Sequence, residues 1–176
     1  MKVGFIGLGL MGSLMSANVA KRGFKLQSYD LSGKGNRRSA AEAAHGATVL
    51  ITMVPDGKAV RKAVMAALPG LSRGAIVIDM SSSDPATTVE LGRMLKKKGI
   101  HMLDSPVSGA KAKAADGTLA LMVGGDRALL KKVRPVLLSM GTEIFHTGAL
   151  GSGHATKALN NYLGAAGTVA GMEVLL

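Results

Sequence analysis

Short and long apolar segments alternate along almost the whole chain. Short apolar runs bounded by glycine, proline or aspartate predict strands, and longer segments with helical spacing of apolar residues predict helices. The predicted strands are 2–7, 25–30, 48–54, 75–80, 100–104, 118–123 and 142–146, and the predicted helices are 9–22, 58–67, 84–98 and 127–140. This alternation is typical of α/β proteins, and we expect a doubly wound, mainly parallel sheet covered by helices.

The last part of the chain has a different pattern. From Gly153 to Leu176 it is continuously apolar with helical spacing, and it stops without glycine, proline or a basic cap. A helix ending on Glu-Val-Leu-Leu leaves apolar side chains bare unless something covers them. We therefore expect 1–152 to form one domain, and 153–176 to begin a helix that meets a second domain or a partner.

A glycine motif lies between the first predicted strand and the first predicted helix. In Gly7-x-Gly9-x-x-Gly12, the first glycine permits a tight turn, the second lets the backbone approach a pyrophosphate, and the third lets helix and strand pack closely. Asp30 ends the second strand, where its carboxylate could accept hydrogen bonds from ribose hydroxyls and repel a 2′-phosphate. These features predict a Rossmann-type dinucleotide-binding domain that prefers NAD, although an ordinary glycine-rich turn is the plainer alternative.

Two later segments suggest chemistry. Lys157 and Asn161 are four residues apart on a predicted helix, so their side chains point into the same cleft. Ser105-Pro106-Val107-Ser108-Gly109 is a turn that could hold an anion. Taken singly, Lys157 is a surface lysine and Ser108 a turn serine. Together with a dinucleotide site they favour a dehydrogenase.

Three motifs, in this order, make the sequence resemble the beta-hydroxyacid dehydrogenases, which include 3-hydroxyisobutyrate dehydrogenase, tartronate semialdehyde reductase and 6-phosphogluconate dehydrogenase. The motifs are residues 4–12, 104–109 and 151–161, and the match that they make in this order spans nearly the whole chain. The resemblance implies that the C-terminal helix leads into an all-α domain absent from this chain. That domain would complete the active site and mediate formation of a homo-oligomer.

The resemblance also implies roles for individual residues. Lys157 would be the general acid/base that exchanges a proton with the substrate hydroxyl, while hydride passes between the substrate carbon and the nicotinamide. The substrate would be held by Ser108, with the amides of Gly109 and Ala110 at its carboxylate, and by Asn160 and Asn161. The cofactor would be bordered by Gly7, Gly9, Leu10, Met11, Gly12, Asp30, Met53, Val54, Pro55 and Ser82.

Three departures from the family pattern qualify this assignment. Between Asp30 and the strand that begins at Thr48, the chain is about ten residues too short for the usual crossover helix and strand, since such a crossover takes at least ~10–12 residues. Ala110 replaces the second glycine that commonly follows the substrate serine. Asn160 replaces the histidine of the decarboxylating 6-phosphogluconate enzymes, which favours simple alcohol–aldehyde interconversion.

The shortened stretch between Asp30 and Thr48 also carries cations that could pair with a 2′-phosphate and so favour NADP: Lys34, Arg37 and Arg38.

The charge and composition restrict the ligands and the location. A formal net charge of +11 suits a basic face that attracts an anionic cofactor and a small acidic substrate. An aromatic content of 3% leaves few stacking platforms, which argues against nucleic acid as the main ligand. No apolar run approaches the ~20 residues of a membrane span, and the chain has no cysteine, so we expect a cytoplasmic protein. The four histidines show no metal-ligand spacing.

We therefore expect an NAD(P)-dependent oxidoreductase that interconverts a small beta-hydroxy acid and its semialdehyde or keto acid. One alternative is an NADPH-dependent reductase of glyoxylate or succinic semialdehyde. Another is a non-catalytic dinucleotide-binding or assembly module, against which the retention of Lys157, Asn161 and Ser108 counts. We also expect this chain alone to bind cofactor but to turn over poorly, because its cleft lacks one wall.

Overall fold

One mixed sheet with helices on both faces organises the protein, for which a computed structural model describes residues 1–175. The strands in the described part are β1 (Lys2–Ile6), β2 (Lys25–Tyr29), β3 (Val49–Thr52), β4 (Ile76–Asp79), β5 (His101–Asp104), β6 (Val107–Ser108), β7 (Leu119–Gly124) and β8 (Gly141–Gly148). The α-helices there are α1 (Leu10–Lys21), α2 (Ala40–Ala44), α3 (Gly57–Ala67), α4 (Pro85–Lys97), α5 (Ala110–Asp116), α6 (Arg127–Leu137) and α7 (Ser152–Val174).

The strand order is β2-β1-β3-β4-β5-β7-β6, and β8 pairs with β7. The five strands from β2 to β5 are parallel, β7 is antiparallel to both β5 and β6, and β8 is parallel to β7. The doubly wound, mainly parallel fold predicted from the sequence is confirmed. The order of the strands reverses at β1, and in such sheets ligands bind outside the carboxyl ends of the strands at the reversal.

The register aligns these carboxyl ends. Ile6 pairs with Tyr29 on one side and Thr52 on the other, Thr52 pairs with Asp79, and Asp79 pairs with Asp104. The segments that leave β1 to β5 therefore share one edge of the sheet.

The core lies on both faces of the parallel strands, because successive side chains of a strand point to opposite faces. Phe5 packs in one apolar cluster together with Met15 of α1, and its neighbour Ile6 packs in a second cluster with Val64 of α3 and Leu91 of α4. All four residues of β3 and of β4 are buried. Burial on both faces explains why these strands read as nearly continuous apolar runs.

Three elements escaped the sequence prediction. Helix α2 has five residues and α5 has seven, too few to show a clear helical period. Strand β6 has only two residues. Strand β8 extends over Gly141–Gly148 rather than 142–146, and much of it is exposed. Helix α6 ends at Leu137 instead of Met140.

The shortened stretch after β2 folds back along the outer side of that strand. Gly35 forms an antiparallel bridge with Tyr29, and the Ser28 carbonyl accepts the amides of Asn36 and Arg37 at 3.0 Å. The Asn36 side chain in turn accepts the Ser28 amide at 2.9 Å. This return covers the hydrogen-bonding groups of the outer strand, a common way to protect a sheet edge. The crossover is reduced, as the length predicted, but it is not without a helix: the described residues between β2 and β3 form the five-residue helix α2 and no further strand.

Helix α7 begins at Ser152, one residue before the predicted Gly153, and continues to Val174; Leu176 lies outside the described residues. Only Gly153 and His154 are buried on α7 within the described part. Its large exposed apolar residues are Leu159, Tyr162, Leu163, Val169, Met172 and Val174. The division of the chain at residue 152 stays a prediction. None of the helices within residues 1–175 combines the length and hydropathy needed to cross a bilayer.

Candidate cofactor and substrate site

The glycine motif forms the turn from β1 into α1. Gly7 has φ +98°, and a Cβ there would overlap the carbonyl oxygen of Met53. A Cβ on Gly12 would overlap the carbonyl oxygen of Gly7. Gly9, in contrast, faces open space and is the N-cap of α1, where no side chain caps the helix. The first-turn amides around Leu10 and Met11 are thus available to phosphate oxygens.

Asp30 directly follows β2, and its carboxylate is tied to the glycine loop. One oxygen accepts the Leu8 amide at 2.6 Å, and the other accepts the amide and the hydroxyl of Ser32 at 2.8 and 2.5 Å. The Ser32 hydroxyl, followed by the Leu8 amide, lowers the pKa of Asp30. A carboxylate has about four acceptor positions, so the oxygen facing Leu8 keeps one for a ribose hydroxyl.

The cations of the shortened stretch differ in their surroundings. The positive charge of Lys34 contributes to lowering the pKa of Asp30. The Arg37 guanidinium is instead held by the Gln27 side chain at 3.1 Å and the Asn36 carbonyl at 2.8 Å. The side chain of Arg38 is exposed. Of the three cations, Lys34 is therefore the one whose charge acts on Asp30, the carboxylate that was predicted to bind a ribose.

The loops after β3 and β4 lie beside the glycine turn. The Met53 amide donates to the Ile6 carbonyl at 2.9 Å, and the Val54 amide donates to the Ser81 hydroxyl at 3.0 Å. Pro55 and Ser82 are exposed at the same edge. The predicted cofactor-bordering residues therefore share the carboxyl edge of the sheet, and buried Ser81 joins their two loops.

The predicted substrate turn links β6 to α5. Ser108 ends β6 and is half-buried, and Gly109 is the N-cap residue of α5. Ala110 has φ +54° and is the one non-glycine residue of the described chain with a positive φ. This left-handed conformation costs an L-residue about 1–2 kcal/mol. The departure from glycine at Ala110 thus carries a measurable strain.

Replacing Ala110 with glycine is expected to raise the free energy of unfolding by about 0.5–1 kcal/mol. Relief of the left-handed strain exceeds the entropy that glycine adds to the unfolded chain. Urea unfolding measures the change. The matched control is Ala112→Gly, at an exposed position of the same helix, which should lower stability by about 1 kcal/mol. Equal losses in both variants would show that Ala110 is not strained.

Helix α7 carries Lys157, Asn160 and Asn161. Lys157 is half-buried, and burial lowers the pKa of its ammonium. Within residues 1–175 it forms no salt bridge. Asn160 and Asn161 follow three and four residues later and are exposed. Lys157 thus has the half-desolvated environment that a proton-transferring lysine needs.

Buried polar groups fix the start of α7 to the sheet edge. Both Asp104 oxygens accept amides at the start of α7, from the N-cap residue Gly151 at 2.7 Å and from His154 at 2.8 Å. Neighbouring Asp79 accepts the Thr52 hydroxyl and the Ser81 amide, each at 3.0 Å. The sequence reasoning assigned none of these carboxylates. The available signal was that two successive strands, β4 and β5, both end on aspartate.

The histidines lie in different environments. His154 is buried, whereas His45 and His101 are exposed and His146 is half-buried. No group of three or more His, Cys, Asp or Glu residues in the described part of the chain is arranged to hold a metal ion.

Comparisons with known proteins identify the family of this chain. A sequence model of the NAD binding domain of 6-phosphogluconate dehydrogenase matches residues 2–148. The chain is 38% identical to an NAD-dependent L-serine dehydrogenase of Pseudomonas aeruginosa, over 92% of this chain and 59% of that protein. It is 36% identical to a 3-sulfolactaldehyde reductase of Escherichia coli, over 92% of this chain and 58% of that protein.

A solved structure is also similar. The 3-hydroxyisobutyrate dehydrogenase of Mycobacterium tuberculosis, described with L-serine, superposes with a TM-score of 0.92 at 37% identity. The match covers 96% of this chain and 62% of that one, so the chain spans less than two thirds of the relatives it matches. The family model covers most of the chain, which therefore belongs to the family of the NAD-binding domain of 6-phosphogluconate dehydrogenase, as its resemblance to the beta-hydroxyacid dehydrogenases predicted.

Proposed function

We propose that this chain is the cofactor-binding part of an NAD-dependent oxidoreductase that interconverts a small beta-hydroxy acid and its semialdehyde or keto acid. The observation that carries the proposal is the half-buried Lys157 on α7. The first turn of this helix is bonded to the same sheet edge as the glycine loop. A dinucleotide site and a proton-transfer group on one edge are the two requirements of such a reaction.

The residues at the carboxyl edge fit a dinucleotide. The open space beside Gly9 and the uncapped start of α1 suit a pyrophosphate. Asp30, whose pKa is lowered, is a carboxylate at neutral pH and suits the hydroxyls of a ribose. When bound, the nicotinamide would accept or supply the hydride.

Lys157 would handle the proton. During oxidation its neutral amine removes the proton of the substrate hydroxyl, and during reduction its ammonium returns one. Burial lowers the pKa of Lys157 and so increases the neutral fraction near physiological pH. The Ser108 hydroxyl, with the amides of Gly109 and Ala110, would hold the substrate carboxylate. Asn160 and Asn161 would hold the substrate beside Lys157.

The substrate class follows from this charge arrangement and is supported by the relatives. A small acid suits a turn that could hold an anion together with a lysine that could exchange a proton. Relatives named for L-serine and 3-hydroxyisobutyrate make these two compounds the first trial substrates. The predicted homo-oligomer, the cytoplasmic location and the completion of the cleft by an all-α domain remain parts of the proposal.

A specific observation keeps the NADPH-dependent reductase as the second candidate. The charge of Lys34 acts on Asp30, so a cation is available close to the ribose position. A 2′-phosphate could pair with it. Cofactor preference decides between the two candidates.

Replacing Asp30 with alanine is expected to weaken NADH binding about 10- to 100-fold. Hydrogen bonds to a charged group contribute about 1.5–3 kcal/mol each, and the ribose would lose this acceptor. Fluorescence titrations with NADH and NADPH at fixed salt measure the effect. The matched control is Asp116→Ala, at the exposed end of α5, which should leave both affinities unchanged.

The other outcomes are equally informative. Tighter binding of NADPH than NADH by the unaltered chain would establish the reductase candidate and direct attention to Lys34. Binding of neither cofactor would contradict the proposal and leave the non-catalytic assembly module.

A further inference from the structure

His154 has a fully buried imidazole on the first turn of α7. Its Nε2 lies 3.1 Å from the Ser81 carbonyl oxygen, and its Nδ1 lies 2.8 Å from the Thr88 hydroxyl. A carbonyl oxygen can only accept, so Nε2 carries hydrogen and donates. The ring thereby bridges α7 to α4 and to the loop that follows β4.

Two carboxylates flank this ring. The Asp79 carboxylate is 3.7 Å from Nε2, and that of Asp104 is 3.7 Å from Nδ1. Asp104 also accepts the backbone amide of His154 at 2.8 Å. Both the side chain and the backbone of His154 are therefore fixed to the carboxyl edge, in surroundings where broken hydrogen bonds are costly.

The rest of α7 has little else to hold it. Among residues 152–174, only Gly153 and His154 are buried, so His154 provides the one buried side chain of the helix in the described structure. Lys157 follows three residues later, less than one helical turn away. Its placement therefore depends on the contacts of the first turn.

The same contacts reach the cofactor loops. The Ser81 carbonyl accepts from His154, while the Ser81 hydroxyl accepts the Val54 amide. Because Val54 and Ser82 lie on the loops that would border the cofactor, His154 connects these loops to the helix that bears Lys157.

We propose that His154 is a positioning residue that holds Lys157 at a fixed depth beside the cofactor loops. The functional importance of this placement rests on the proposed role of Lys157. The placement itself can be tested without turnover, so its failure is distinguishable from failure of the proposed oxidoreductase activity.

The test measures the pKa of Lys157 by NMR. The lysines of the chain are labelled by reductive ¹³C-methylation, and the signal of Lys157 is identified as the one that is missing from Lys157→Arg. Burial lowers the pKa of Lys157, so loosening the first turn should admit water and raise that pKa. His154→Ala should show this rise. His154→Gln should show a smaller rise, because its side-chain amide can still donate to the Ser81 carbonyl.

Two further variants complete the design. Thr88→Val removes the hydroxyl that contacts Nδ1 and also donates to the Asp84 carbonyl at 3.0 Å, with little change of shape, and it should raise the pKa of Lys157 less than His154→Ala. If His154→Ala fails to fold, the pKa of Lys157 in Thr88→Val tests the proposal instead. His101→Gln, at an exposed position, is the control that should change nothing. The proposal is overturned if the folded variants of His154 and Thr88 have the same Lys157 pKa as the unaltered chain.

Discussion

Turnover is expected to fall by about 10²–10⁴-fold when Lys157 is replaced with methionine, the usual contribution of a positioned acid/base. Methionine keeps an unbranched side chain of similar length but cannot transfer a proton. The assay is NADH formation from L-serine or 3-hydroxyisobutyrate, by a protein that carries an all-α domain after residue 176. NADH affinity should change less than about threefold, since Lys157 is not assigned to the dinucleotide.

The pH dependence provides an independent signature of the same group. Burial lowers the pKa of Lys157, so its neutral, proton-accepting form appears below the ordinary lysine pKa of about 10.4. Oxidation should therefore speed up as pH rises through this lowered pKa and then level off. Reduction, which needs the ammonium, should slow over the same interval. Lys157→Met should remove this feature from both profiles.

Lys157→Arg is the matched control, because it keeps the charge but does not release a proton near neutral pH. It should be as slow as the methionine variant. An arginine variant with nearly full turnover would limit the role of Lys157 to electrostatics, and a fully active methionine variant would contradict the assigned role altogether.

The features of this protein that could be predicted from the sequence are those that depend on local residue patterns. The all-buried runs of β3 and β4 read as interior parallel strands. The glycines of the first turn serve visible steric needs, since a side chain at Gly7 or Gly12 would overlap backbone atoms. Local sequence also gave the start of α4, where Asp84 caps the helix and Pro85 opens it.

The buried hydrogen bonds of Asp104 and His154 have no such local pattern. Gly151 is 47 residues from Asp104, which accepts its amide, and His154 is 73 residues from the Ser81 carbonyl. A histidine between small residues reads equally well as a surface residue. Only the pairing of β4 with β5 and the docking of α7 bring these groups together, so the sequence gives no direct sign of them.

The structure of the stretch between Asp30 and β3 could be predicted only in part from its length. The short interval after Asp30 predicted a reduced crossover, and the described residues between β2 and β3 form the five-residue helix α2 and no further strand. It did not reveal that Asn36 and Arg37 bond back to Ser28, because side-chain and turn hydrogen bonds of this kind depend on the conformation of the whole loop. In this loop the charge of Lys34 contributes to lowering the pKa of Asp30, while Arg37 bonds to Gln27 and Asn36.

The buried carboxylate of Asp104 should contribute more to stability than any exposed one. Asp104→Asn is expected to lower the free energy of unfolding by about 2–4 kcal/mol, measured by urea unfolding. Both oxygens of Asp104 accept amides at the start of α7, from the N-cap residue Gly151 and from His154, and an asparagine would turn an N–H group toward one of those donors. Breaking a buried charged hydrogen bond in this way leaves an amide without a partner. Removing a charge beside Asp79 offsets only part of this loss.

Asp126→Asn is the matched control for this prediction. Asp126 also accepts two helix amides, from Ala128 at 2.6 Å and Leu129 at 3.3 Å, but it is exposed. Asparagine is a good N-cap residue, and water can satisfy a lost bond there, so the cost should stay within about 0.5 kcal/mol. Hydrogen exchange of the His154 amide should accelerate in the Asp104 variant alone. Equal losses at Asp104 and Asp126 would mean that α7 is held by something other than this carboxylate.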